Sequence, residues 1–219
     1  MVASQTPGVL MRLAHTADSQ VESSKIAPAS PCPNVQKTYT AVADDGEKPE
    51  RLALYVLSDI SPIVSSSEAF EADKAANPDL NISWVVCAFI NGRDKSTPSK
   101  AEPSTTHPLS HELVSGSKIV INGSTPRPDK EEDYHAWYNE EHGPGLSIVP
   151  GWNAARRYSL QKTYGDIETA HFYGFNYYDE ESGLGGPIWQ SSTKTEWTFR
   201  IRGNAAKPNI RRVWRVTEL

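Results

Sequence analysis

Two halves of this chain run through the same elements in the same order. Runs of β-branched and aromatic residues bounded by turn residues predict strands over Val9–Ala14, Val35–Ala43, Arg51–Leu57 and Ile82–Ile90. They predict a second set over Lys118–Asn122, Ala154–Leu160, Thr169–Tyr178 and Ile210–Val216. Apolar residues at helical spacing predict helices over Ser66–Ala76, Lys130–His142 and Ile188–Lys194. The halves also keep register. Tyr39 precedes Leu52 by the same distance that Tyr158 precedes His171, and SSEAFEADKAAN stands where GPIWQSSTKTEW stands. ISWVVCAF closes one half as RRVWRVTE closes the other. This is an internal duplication.

Each half follows the order βαββαβ, the ferredoxin-like plan of an antiparallel sheet with its helices on one face. The bare sheet face needs cover, and two such units supply it by packing sheet to sheet. The expected fold is therefore α+β: two ferredoxin-like repeats closing an intrachain, pseudo-dimeric α+β barrel. Residues 1–93 form a degenerate first repeat, 94–117 a polar linker and 118–219 the second repeat. Only the second half carries a full first helix, DKEEDYHAWYNEEH; the first half offers the Pro-broken ADSQVESSKIAPASP. One active copy is expected.

Composition removes several function classes. The net charge of −5 gives no clustered basic face for nucleic acid. Arg200, Arg202, Arg211, Arg212 and Arg215 alternate with apolar residues and read as solvent-facing strand positions. Cys32, in the turn-rich PCPN, and Cys87, in an apolar strand, have neither disulfide-framework nor zinc spacing. The N-terminus lacks the basic and apolar regions of a signal peptide. No run approaches the ~20 apolar residues of a membrane span. A soluble, cytoplasmic protein is expected, with no nucleic-acid or membrane partner. P-loop, GxSxG and HExxH motifs are missing, and GLGGP lacks a dinucleotide context.

The densest chemistry lies in EEDYHAWYNEEHGPG, Glu131 to Gly145. Tyr134, Trp137, Tyr138 and Glu141 fall on one helical stripe that suits packing on the sheet. Glu141 needs a partner there, and Arg156 or Arg157 on the next strand is expected to supply it. His142 stands at the predicted helix end, with Gly143 at C′ and Pro144 as terminator. The helix dipole should hold its pKa up, close to neutrality. His135 lies two turns, about 10 Å, from His142, too far to share a metal ion, and is expected to face solvent. In AHFYGFNYY, alternation puts His171, Tyr173, Phe175 and Tyr177 on one face. Phe172, Gly174, Asn176 and Tyr178 share the other. The corresponding RLALYVL is plainly apolar, so the polar content is local to the second half. His107 and His111, in the linker region, look incidental.

Trp137-Tyr138, Asn139-Glu140-Glu141-His142, Val149-Pro150-Gly151-Trp152 and Arg156-Arg157-Tyr158 together resemble the signature of EthD-like proteins of the dimeric α+β barrel superfamily. TEWTFR and RRVWRV resemble the closing part of that repeat. The likeness covers Lys118 to the end well, and the first half resembles a worn, tandem, fungal-type copy. Gly-Pro-Gly after His142 departs from the pattern. The resemblance implies a small-molecule enzyme of secondary metabolism that works without cofactor or metal, as a monomer or homodimer. A cyclase, dehydratase or isomerase acting on an aromatic or polyketide-like substrate is the leading expectation. A cofactorless oxygenase of a phenol or anthrone, or a carrier of a hydrophobic metabolite, is the alternative. The expected catalytic residues are His142, His171 and Tyr138. Trp137, Tyr158, Tyr173, Phe175, Asn176 and Trp189 are expected to bind substrate.

Overall fold

A computed structural model describes residues 5–16, 34–98 and 101–218. Cys32 and the first-half segment ADSQVESSKIAPASP lie outside the described residues. Eight strands are present: β1 (Gly8–Thr16), β2 (Val35–Ala43), β3 (Arg51–Leu57), β4 (Leu80–Asp94), β5 (Lys118–Ser124), β6 (Trp152–Tyr164), β7 (Phe172–Tyr178) and β8 (Ile210–Glu218). They close into an antiparallel barrel in the order β1-β3-β2-β8-β5-β7-β6-β4. Each half contributes its strands in the order fourth, first, third, second. The seams lie between the fourth strand of one half and the second of the other: β4 with β6, and β8 with β2.

Strand alternation divides the apolar residues between two faces. Met11, Leu54, Cys87, Ile121, Tyr158, Phe175 and Trp214 fill the barrel interior. On the outer face of the first half, Tyr55 and Trp84 pack beneath Ile63 of α1 (Ser61–Ser65) and Phe70 of α2 (Glu68–Ala76). Arg12 on that face is held by the Asp73 carboxylate of α2, which also accepts from Trp84 Nε1.

The second half is covered by α3 (Glu131–Trp137), a π turn over Tyr138–His142, α4 (Gly143–Ser147), α5 (Pro187–Thr193) and α6 (Glu196–Gly203). The helix does not stop at His142, as its Gly-Pro sequence suggested. Gly143 keeps right-handed helical angles, and its N–H reaches the Tyr138 carbonyl five residues back. Pro144 has no N–H and its ring crowds the preceding turn. Widening that turn to a π turn absorbs the proline without ending the helix. Arg200 and Arg202, read from the sequence as strand positions, belong to α6.

The linker is not a solvated tether. Leu113 is fully buried, His107 is nearly so, and Arg156 donates to the His107 and Pro108 carbonyls. The segment lies across one end of the barrel. Among the described residues no helix is long and apolar enough to cross a membrane.

Candidate functional site

Between the second-half sheet and its helices lies a chamber of about 80 Å³. Of the residues singled out in the sequence, Trp137, Tyr138, His142, Asn176 and Trp189 line it. Val120 and Asn122 of β5, with Tyr178, floor it.

The remaining expected residues lie elsewhere. Tyr158, Tyr173 and Phe175 point into the barrel, on the other face of the sheet. Alternation predicted that split for β7, but not which face meets the helices. His171 is exposed, in the bend before β7. Its backbone N–H donates to Thr125 Oγ1 and its carbonyl accepts from Leu160.

His142 is the central group. Its ring stacks on Trp137 at 4.2 Å between centroids and meets the edge of Tyr138 at 5.4 Å. Trp137 is itself fixed, because Nε1 donates to Thr198 Oγ1. Burial pushes the imidazole down to about 4, against a hydrogen bond to the Ser192 backbone that favours the charged form; Arg202 and Arg157 add to the depression. The expectation of a pKa held up at a helix end fails because the helix continues and the ring is desolvated. His142 is therefore neutral at pH 7. Its Nδ1 is buried and has no hydrogen-bond partner.

Tyr138 crosses the chamber floor directly over Gly174. A Cβ on Gly174 would come within 2.7 Å of the Tyr138 hydroxyl oxygen, so only glycine lets the ring lie flat on the sheet. Burial lifts the Tyr138 phenol to about 12, so it stays protonated; Arg157, 4.5 Å from the ring centroid, opposes that rise. Asn176 Nδ2 approaches the Tyr138 hydroxyl at 3.5 Å, while its Oδ1 accepts from Trp152 Nε1. Trp152, quoted in the VPGW motif but not singled out, thus orients Asn176.

Glu141 and His135 also depart from expectation. Glu141 accepts a 2.6 Å hydrogen bond from Thr195 Oγ1 rather than pairing with an arginine. Arg156 is committed to Asp94, and Arg157 to Asn139 and His135. His135 is half-buried against Phe172, and burial with the nearby Arg157 charge lowers its pKa to about 4. Among the described residues no cluster of three His, Cys, Asp or Glu could hold a metal ion.

A wider vestibule of about 530 Å³ shares Asn122, Arg202 and Asn209 with the chamber and is lined further by Lys207 and Arg211. Arg202, near the end of α6, was read from the sequence as a strand position, and Lys207 and Asn209 were missed because the loop after α6 carries no motif. The basic, exposed side chains of Arg202 and Lys207 favour an anionic or phenolic ligand at the mouth.

The solved structures similar to this chain are distant in sequence. An anthrone oxidase-like protein superposes with a TM-score of 0.66 at 12% identity, covering 100% of this chain and 94% of that one. A candidate monooxygenase from Fusobacterium nucleatum subsp. nucleatum gives 0.60 at 10% identity, with 98% and 94% covered. A haem-binding protein from Thermus thermophilus gives 0.51 at 13% identity, with 97% and 92% covered. The fold is the dimeric α+β barrel. No protein-family model and no curated protein sequence matches the chain. Within this barrel, the chamber occupies the space between one sheet and its own helices.

The buried histidines are expected to make the barrel acid-sensitive. His107, lowered to about 4 by burial and by Arg156, is suppressed like His142. Each takes up a proton on unfolding once the pH drops below about 6.5. Stability is therefore full above that value and is lost as the pH falls toward 4. Between pH 7 and 5 the loss is about 2 kcal/mol for each of the two residues. Urea unfolding across that range should show it, and stability that does not change would contradict the buried, neutral assignment.

Proposed function

We propose that the chamber is the active site of a small-molecule oxygenase that works on an electron-rich phenol or anthrone without a bound cofactor. The observation that carries this reading is the neutral, buried His142, whose ring lines a small chamber. A volume of about 80 Å³ suits dioxygen and the reacting edge of a flat ring. Folding a long flexible chain asks for several hundred Å³ of enclosed space. The bulk of the substrate rests in the vestibule, where Arg202 and Lys207 favour a phenolate. Likeness of fold to an anthrone oxidase-like protein points the same way, as analogy.

The chemistry balances with dioxygen as the oxidant. The neutral His142 imidazole takes a proton from the activated CH₂ of the substrate. The carbanion passes one electron to dioxygen, and the radical pair joins into a C–O bond. The peroxide takes the proton back from His142. Loss of the second C–H proton then expels hydroxide, and these two combine as water. The net change is CH₂ plus O₂ giving C=O plus H₂O. With no anion beside it the imidazole is a weak base. A developing anion next to the ring favours the imidazolium and strengthens the base during the reaction. The Tyr138 hydroxyl and Asn176 orient the substrate oxygen.

Purified protein with no added cofactor should speed oxygen uptake and anthraquinone formation from 1,8-dihydroxyanthrone, and should show no Soret band. A Soret band that tracks activity overturns the cofactor-free mechanism. Turnover of an aromatic substrate with loss of water, or with no mass change and no oxygen uptake, overturns the oxygenase in favour of a dehydratase, cyclase or isomerase using the same base. Tight binding without turnover makes the protein a carrier.

A further inference from the structure

The vestibule carries more positive charge than one phenolate uses. Arg202, Lys207 and Arg211 line its volume of about 530 Å³, together with the amides of Asn122 and Asn209. All three cations are exposed, and no Asp or Glu lines either the vestibule or the chamber. Their neighbours on the same elements behave differently. Arg200 on α6 pairs with Asp133, and Arg212 and Arg215 on β8 pair with Asp45 and Asp44. Among the described residues, none of Arg202, Lys207 and Arg211 has a carboxylate within ion-pair distance. A single unpaired surface cation is ordinary. Three around one opening, in a chain of net charge −5, add up to a local positive field.

Arg211 stands at the neck between the two spaces. Its register partner on β5 is Asn122, which lines both. Two residues on, Val213 pairs with Val120 beneath the helices, so alternation turns Arg211 to the same face. Its guanidinium lies over the Trp189 ring, 5.7 Å from the centroid, and its charge acts on the Tyr178 phenol. Both rings line the chamber. Arg202 lines both spaces from the last turn of α6, near enough for its charge to act on His142. Lys207 sits on a loop fastened at its base: the Ala206 N–H donates to the Thr125 carbonyl at 2.7 Å, and Arg127 Nη2 to Asn204 Oδ1 at 2.8 Å. The charges are thus held on three separate elements around one opening, not strung along one solvated face.

A phenol of ordinary pKa, ~10, is mostly neutral at pH 7, and even as phenolate it answers one of three charges. A planar guanidinium suits a group with two or more anionic oxygens. The chamber, at about 80 Å³, has no room for such a group beside a reacting ring edge. We infer that the vestibule is an oxyanion subsite: the aromatic ligand carries a permanently ionised group, a carboxylate or a phosphate or sulfate ester, on the part that stays outside the chamber, held by Arg211, Lys207 and Arg202. The subsite gives the chamber its substrate class, and it rests on the oxygenase reading only for the reaction that follows.

Calorimetry with 2-naphthoate, 2-naphthyl phosphate and the neutral 2-naphthamide tests it, since all three lack an activated CH₂ and report binding alone. Wild type should bind at least one anion about tenfold more tightly than the amide at low salt, the scale of a few exposed ion pairs acting together. The tighter anion names the group. The preference should fade as ionic strength rises from about 0.02 M to about 0.5 M. Arg211→Gln combined with Lys207→Gln should erase it. Equal affinity for anions and amide, binding of no probe, or a preference that survives the double variant would overturn the inference. If the double variant does not fold, the Arg211 and Asn209 backbone amide shifts of ¹⁵N-labelled wild type decide, and they should move with the anion and not with the amide. Oxidation of 1,8-dihydroxyanthrone without any anion preference overturns the subsite and leaves the oxygenase. An anion preference in a protein that oxidises no anthrone overturns the oxygenase and leaves the subsite.

Discussion

His142→Ala is expected to lower turnover by about 10²–10⁴-fold, the usual contribution of one positioned acid–base group, while the barrel stays folded by circular dichroism. Substrate binding should change little, because the vestibule that takes the bulk of the ligand is untouched. The pH profile discriminates further. Catalysis needs the neutral imidazole, and burial holds that group down to about 4. Activity should therefore persist as pH falls to 5 and be lost through about 4, not near the ordinary histidine value of ~6.5. An acid limb near 6.5, or full activity in the alanine variant, removes His142 as the base. Full activity would leave the chamber working by shape or merely holding its ligand.

The largest effect on stability is expected from Arg156→Met. Arg156 is completely buried, and its guanidinium holds the Asp94 carboxylate and the backbone carbonyls of Arg93, Ala155, His107 and Pro108. Removing it strands a carboxylate and orphans several carbonyls at the place where the linker crosses the barrel end. Breaking one partner of a buried ion pair typically costs about 3–5 kcal/mol. For a chain of this length each kcal/mol moves Tm by about 2–4 °C, so a fall of roughly 6–20 °C is expected in thermal unfolding. Arg156→Met with Asp94→Leu should recover part of the loss, since the unpaired charge is gone. A Tm unchanged within a degree would mean that the linker is not anchored through Arg156.

Much of the fold was legible because strand alternation and helical spacing are local, and the duplication doubled each signal. All eight predicted strands are found, and the second-half helix stripe packs on its sheet through Tyr134, Trp137 and Tyr138. The site was half legible. Trp137, Tyr138, His142, Asn176 and Trp189 meet in the chamber, because one helix and one strand face carry most of them. Tyr158, Tyr173, Phe175 and His171 do not join them. Alternation gives two faces and no label for which is covered by helices, and the end of a strand decides whether His171 is wrapped or exposed. Lys207 and Asn209 come from a loop with no pattern to read, and Arg202 from a helix that the sequence reading took for a strand.

Sequence alone determined what depends on neighbours along the chain: strand and helix positions, the repeated module, and the aromatic helix that makes the two halves unequal. Tertiary structure decided what depends on surroundings. It carried the helix past Gly143-Pro144 through a π turn, and desolvated His142 so that its pKa falls where the isolated helix end would have raised it. It gave Arg156 to Asp94 instead of Glu141, and turned a polar linker into the cover of one barrel end. Protonation and pairing follow from local dielectric and from which groups come within hydrogen-bond reach, and both are properties of the packed barrel rather than of any segment.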